Sequence, residues 1–310
     1  MRVVAVSMVK NESDAVEAFC RHTAAFADRH LIFDHQSTDG TPFLLNRLVR
    51  EGLPITVFTD DRTEYLQAAR TTELMRRAVR DFGADWVVPL DADEFPQPGP
   101  PAAFRGTLER LLPNGRPVWM WMRDHAPHPA DDPAEPNPVL RLKHRASDAF
   151  LAAGKVAVPR ALAADPTVGF APGNHDVHRN GVLIAADRRE DVWLAHFPVR
   201  TAAQAVVKVV QGELQRLAGG AAGGGGTHYR KHFQRLLNRP RSYLSDPGAY
   251  LRGEVYQPAE YWGGPVVYPL PFDEWERLAA GLLPFAERLA AGYGRAAAKP
   301  PGAFGRAWRR

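Results

Sequence analysis

Four short apolar runs, at residues 2–8, 30–34, 54–59 and 86–90, alternate with three stretches of helical periodicity, and this limits the N-terminal part of the chain to one kind of sheet. Each run is rich in Val, Ile, Leu or Phe and too short for a helix, so each reads as a strand buried on both faces. Residues 12–27 place Ala15, Phe19 and Phe26 at helical spacing. Residues 42–51 begin with Pro42 and stop at Gly52, and residues 64–82 stop at Gly83, the expected punctuation of helix ends. Strands alternating with helices imply βαβ units. The fold class is therefore α/β, with a mostly parallel, Rossmann-like sheet flanked by helices.

After residue 95 the pattern loosens. A short helix is expected over 104–112, a strand over 117–122, and a Pro- and Asp-rich loop over 126–138. Short strands are expected around Val156 and Val158, over 182–184 and over 192–195, followed by an amphipathic helix over 201–217. The Gly/Ala-rich stretch 219–226 cannot pack by itself and reads as a flexible loop. The expected organisation is one domain over 1–215, a flexible loop over 216–226, and a smaller, mainly helical region over 227–310 with a frayed basic tail.

Composition narrows the partners. Lys and Arg number 39 against 35 Asp and Glu, a net charge of +4, and no long basic stripe is present, so nucleic acid is not an expected partner. Lys occurs only at Lys10, Lys143, Lys155, Lys208, Lys231 and Lys299. The cations are thus mostly Arg, whose planar fork suits phosphates and carboxylates. Cys20 stands alone, which excludes an intrachain disulfide and makes a reducing compartment the default. The N-terminal apolar stretch is too short for a signal peptide and is interrupted at Lys10, and no run approaches the ~18 residues of a membrane span. A cytoplasmic location is expected. The tail residues Arg306, Trp308, Arg309 and Arg310 leave peripheral contact with a membrane surface open.

The chemistry concentrates in Asp91-Ala92-Asp93-Glu94-Phe95, three carboxylates in four positions directly after an apolar run. Carboxylates at the end of a buried strand repel one another unless a cation neutralises them. Hard ions such as Mg²⁺ or Mn²⁺ take such oxygens together with substrate phosphates, and ligands of open α/β sheets sit beyond the carboxyl ends of the strands. The other reading is local: Asp-x-Asp-Glu also suits the cap and first turn of a helix.

Two further segments stand at strand ends: Val9-Lys10-Asn11-Glu12 after the first, and Asp34-His35-Gln36-Ser37-Thr38-Asp39-Gly40-Thr41 after the second. Together with Asp91-Ala92-Asp93-Glu94-Phe95, their order and spacing resemble the glycosyltransferase family 2 type, with its nucleotide-diphosphate-sugar-binding GT-A domain. The resemblance is strongest to a bacterial branch in which D-A-D-E-F is followed by a G-K strand, an isolated His and an H-[FY]…K helix, here Gly154-Lys155, His175, and His196-Phe197 with Lys208. It covers residues 1–215.

The resemblance implies a metal-dependent transferase that moves a sugar from a UDP- or GDP-sugar to an acceptor hydroxyl, on a glycan, a lipid-linked molecule or a small metabolite, with inversion. Asn11 and Glu12 would lie at the nucleobase and ribose pocket, unless they form a helix N-terminus with Asn11 as its cap, with Asp34 accepting from a base N–H and Asp39 shaping the turn around it. Gln67 and Arg70, one helical turn apart, would run beside the nucleotide, with Arg70 as a phosphate contact or a solvated surface residue. Asp91 and Asp93 would both address one Mn²⁺ or Mg²⁺, or Asp91 would serve the ribose while Asp93 binds the metal. His196 would be a late metal or diphosphate ligand, unless it is structural. Lys155 and Lys208 would bring positive charge to the diphosphate, unless they are surface lysines. Glu94 is expected to pair with Arg or to cap the next helix.

Inversion needs a base for the acceptor hydroxyl. Pro172-Gly173-Asn174-His175-Asp176-Val177-His178 offers Asp176 first and His175 second. The chain lacks the Glu-Asp pair that marks the base in many relatives of this type. Trp119, Trp121, Tyr261 and Trp262 are aromatic residues of the kind that stack on sugars or fill cores. A nucleotidyltransferase of related fold is a rival, although the Gly-rich basic loop it needs after strand one is absent. A non-catalytic sugar-binding or degenerate transferase module is a second.

Overall fold

The computed structural model describes residues 1–61, 66–97, 99–146, 153–219, 227–238 and 256–258, with scattered positions between 263 and 282. Its strands are β1 (Val3–Val9), β2 (Arg29–Asp34), β3 (Ile55–Thr59), β4 (Trp86–Pro89), β5 (Glu94–Gln97), β6 (Val118–Asp124), β7 (His144–Ala146), β8 (Gly154–Pro159), β9 (Val168–Phe170), β10 (Val177–Arg179), β11 (Val182–Leu183), β12 (Asp187–His196) and β13 (Tyr256–Pro258). The helices are α1 (Val16–Ala24), α2 (Thr41–Glu51), α3 (Gln67–Phe82), α4 (Pro101–Leu111), α5 (Pro138–Arg141), α6 (Arg160–Ala163), α7 (Ala202–Gly219) and α8 (Thr227–Asn238).

The α/β expectation is met. A mixed, mostly parallel eight-stranded sheet has the order β3-β2-β1-β4-β8-β6-β12-β5. Strands β1, β2, β3 and β4 pair in parallel, as do β6 and β12, while β8 runs antiparallel between β4 and β6. Every residue of β1 is buried, because successive side chains feed two cores. Val3, Ala5 and Val9 pack with Phe19, Leu44, Leu48 and Phe104, while Val4, Val6 and Met8 pack with Leu74, Met75 and Ala78. That two-sided burial is why these strands read as continuous apolar runs. The glycine stops act as anticipated: Gly52 and Gly83 take φ of 97° and 65° at the ends of α2 and α3.

Several expectations need correction. The first helix begins at Val16 rather than at residue 12, because residues 11–13 are bound to the turn after β2. Glu94 does not start a helix. It opens β5, which lies antiparallel to β12 with Phe95 opposite Ala195. Fully buried Phe95 meets the rings of Phe19, His22 and Phe197 at centroid distances of 6.1, 5.4 and 5.5 Å, and this packing overrides the local capping preference. Strand β12 is 10 residues long, more than twice the apolar stretch that announced it, and its register shifts between Arg189 and Trp193.

The boundary expected at residue 215 falls inside α7, which continues to Gly219. Helix α8 packs on α7, with Phe233 and Leu236 against Val199, Ala205 and Val209. Positions 220–226, Tyr261, Trp262 and the basic tail lie outside the described residues. Among the described residues, no helix is long and apolar enough to cross a membrane.

Candidate active site

The carboxyl ends of β1, β2 and β4 converge with the end of β12 and the start of α7. At the end of β1, Asn11 adopts φ 56°, a left-handed conformation that Asn takes at lower cost than most residues. Its Oδ1 accepts from Thr38 N at 2.7 Å and Asp39 N at 3.3 Å, and its own N donates to Ser37 Oγ at 2.9 Å. Asp39 accepts from Ser13 N at 3.1 Å and Thr41 N at 2.9 Å. Asn11 and Asp39 thus brace two loops against each other, the turn-shaping role expected of Asp39. Asp34 Oδ1 accepts from Ser37 N at 3.1 Å, and burial pushes its carboxyl up despite that bond.

The acidic cluster is divided by the bend after β4. Asp91 accepts from Gln67 Nε2 and from Lys155 Nζ, both at 2.7 Å. Lys155 is buried, not a surface lysine, and also pairs with Glu94 at 3.2 Å. Glu94 in turn accepts from Asp91 N at 3.0 Å, so its cation is Lys rather than Arg. Asp93 faces the other way. It accepts from Lys208, a half-buried side chain, and lies 3.7 Å from His196 Nε2 and 3.9 Å from Arg200 Nη1.

Lys208 and Lys155 therefore both reach the cluster, whereas Arg70 does not. Its guanidinium grips Asp60 at 2.7 and 3.0 Å and Glu73 at 2.8 Å and stacks on Phe33.

The hub of the cluster is a residue the sequence did not single out. Arg200, fully buried, donates to Glu12 and forks onto Asp14 at 2.9 Å for both bonds, with Nη1 on Phe197 O at 3.1 Å. No periodicity or motif marks it. Its only signal was a lone cation between the His196-Phe197 pair and the start of a helix. Asp124 was also missed. It ends β6 and holds His196 Nδ1 at 2.6 Å. A carboxylate terminating an apolar strand, as Asp34 does, was the available clue.

Ligand atoms of Asp93, Glu94 and His196 lie within 4.8 Å of one another, so among the described residues these three form a group that could hold a metal ion. The donor set of two carboxylates and an imidazole suits Mn²⁺ or Mg²⁺. Asp124 would orient His196 by taking its Nδ1–H, leaving Nε2 toward the ion. Glu12, Asp14, Asp91, Asp93 and Glu94 face Arg200, Lys155 and Lys208, an acid-rich cluster of the kind a cation neutralises.

Local fields follow from the same geometry. Burial would raise the Asp93 carboxyl, but Lys208, His196 and Arg200 outweigh it and hold it well below the usual carboxylate range. Burial pushes Glu12 and Glu94 up to about 7, against the pull of Arg200 and Lys155 respectively. Burial would lower His196, but Asp93 and Asp124 raise it.

The two candidates for a base sit on the neighbouring wall. His175 Nδ1 lies 2.6 Å from Gly154 O, and a carbonyl can only accept, so that nitrogen carries a proton and donates. Gly154 precedes Lys155, which ties His175 to the Asp91 side of the cluster. Trp119 Nε1 donates to His175 O at 3.0 Å and its ring packs edge-on to Trp121, so Trp119 supports this wall. Gly154 has no room for a side chain: a Cβ there would stand 2.6 Å from the Trp119 ring. Asp176, half-buried, makes no side-chain hydrogen bond among the described residues.

Fold and site together define a class: an α/β protein with an acidic, cation-ready centre at the carboxyl ends of a mostly parallel sheet. No protein-family model matches the chain, and no curated protein matches it. In backbone shape it is similar to the mannosyltransferase PcManGT from Pyrobaculum calidifontis in complex with GDP-Man and Mn²⁺, with a TM-score of 0.44 and 17% identity over 96% of this chain and 81% of that one. It is also similar to S. aureus TarS in complex with UDP-GlcNAc, with a TM-score of 0.42 and 10% identity over 78% of this chain and 75% of that one.

Proposed function

We propose that this chain is a glycosyltransferase that moves a sugar from a UDP- or GDP-sugar to an acceptor hydroxyl, with inversion. The observation that carries this reading is the group Asp93, Glu94 and His196 beside Lys208. It sits beyond the strand ends that bear Asn11, Glu12 and Asp34, the place where ligands of open α/β sheets bind. Bound there, Mn²⁺ or Mg²⁺ would neutralise the diphosphate and stabilise the leaving group. Lys208, held by Asp93, would add positive charge toward the diphosphate. Asp34 and Asn11 border the nucleoside side, and Asp91, steered by Lys155 and Gln67, the ribose side.

His175 is the better base of the two candidates. Its Nδ1–H is committed to Gly154 O, so Nε2 is the nitrogen available to take a proton from the acceptor hydroxyl. His175→Ala is expected to lower turnover about 10²–10⁴-fold with nucleotide binding retained, while Asp176→Asn changes turnover little. The reverse ranking would return the role to Asp176. The lone, buried Cys20 suits a reducing, cytoplasmic setting.

Thermal unfolding with UDP, GDP and their sugars, with and without Mn²⁺, tests the reading. The correct nucleotide at about a hundredfold excess over its Kd should raise the melting temperature by about 5 °C, and only with the metal. If no nucleotide diphosphate stabilises the protein in a metal-dependent way, the donor assignment fails.

A further inference from the structure

On the reading that the acidic cluster serves a nucleotide-diphosphate sugar, we propose that Tyr229 of α8 is a further donor-site residue, its hydroxyl donating to the diphosphate beside Lys208. The supporting geometry is a seat on α7. A Cβ built at Gly212 would stand 2.5 Å from Cγ and Cδ1 of the Tyr229 ring, closer than non-bonded carbons approach, so only glycine lets the ring rest there. Gly212 follows Lys208 by four residues, and positions so spaced share one face of a helix. The ring is therefore one turn from the Lys208 stem, whose ammonium holds Asp93.

The rest of α8 keeps it there. Phe233 and Leu236, on the same face as Tyr229, pack on the cluster of Val199, Ala205 and Val209. Tyr229 is half-buried. Burial pushes its phenol up, and the charges of Lys208, Asp93, Asp91 and Glu12 all act on it, which places it in the same field as the cluster. A neutral O–H gives a phosphate oxygen a hydrogen bond without adding charge to a centre that already holds Lys155, Lys208 and Arg200. Helix α8 thereby becomes part of the active site.

Isothermal titration of the full chain with UDP, GDP, UMP and GMP in the presence of Mn²⁺ tests this. Tyr229→Phe is expected to weaken the diphosphate by at least about tenfold, since a hydrogen bond to a charged group is lost. It should leave monophosphate affinity and the melting temperature unchanged. Gly212→Ala, which displaces the ring with its hydroxyl intact, is expected to give the same diphosphate-selective loss. Unchanged diphosphate affinity in Tyr229→Phe overturns the proposal while leaving the donor reading standing. Equal loss of mono- and diphosphate binding, or a lowered melting temperature, makes Tyr229 a packing residue and overturns it too. Failure of the wild-type chain to bind either diphosphate removes the donor reading itself, and the proposal with it.

Discussion

Asp93→Asn is expected to reduce turnover by at least about 10³-fold, the loss that follows when several kcal/mol of charge stabilisation leave a transition state. Asp93 is the carboxylate on which Lys208, Arg200 and His196 converge, and it belongs to the only group among the described residues able to hold a metal. Asn keeps the shape and one accepting oxygen, so Lys208 still has a partner and the fold persists. Two readouts separate chemistry from folding. The Mn²⁺-dependent rise in melting temperature should vanish, while the far-ultraviolet circular dichroism spectrum stays that of the wild type. Full activity in this variant, or an intact metal-dependent shift, would show that the ion, if used, is held elsewhere.

Arg200→Met is expected to be the most destabilising single change at the site. The guanidinium is sealed from solvent and compensates Glu12 and Asp14 directly and Asp93 at longer range. Removing one partner of a buried ionic group strands the others, at a cost of about 3–5 kcal/mol. Urea unfolding should register this as a lower midpoint with an unchanged slope. Arg200→Lys should recover only part of the loss, because an ammonium cannot fork onto Asp14 while also reaching Glu12. A Met variant as stable as the wild type would mean that Glu12 and Asp14 do not depend on Arg200 for compensation.

The sequence was informative where physics is local. Val3 to Val9 reads as a strand because both faces of β1 enter cores, and Gly52 and Gly83 read as stops because a left-handed residue ends a helix. Asp34, Asp91 and Asp93 were noticeable because carboxylates directly after apolar runs are costly without partners. The four-residue β5 carries no period of its own and exists because Phe95 finds Phe19, His22 and Phe197. The polar half of β12 reads as loop and becomes strand only beside β6.

By itself, then, the sequence determined the α/β sheet and the strand ends at which the acidic centre forms, since both follow from burial and spacing within a few tens of residues. Tertiary structure alone decided which side chains share that centre. Arg200 meets Asp14 and Glu12 across 186 and 188 residues, and Lys208 meets Asp93 across 115. It also turned Asp91 toward Lys155 and brought Glu94 beside Asp93 and His196, in a group that could hold a metal ion. Such choices depend on which chain segments are brought within a few ångströms, where Coulomb energy and desolvation act, and a linear pattern of charges carries no record of that distance.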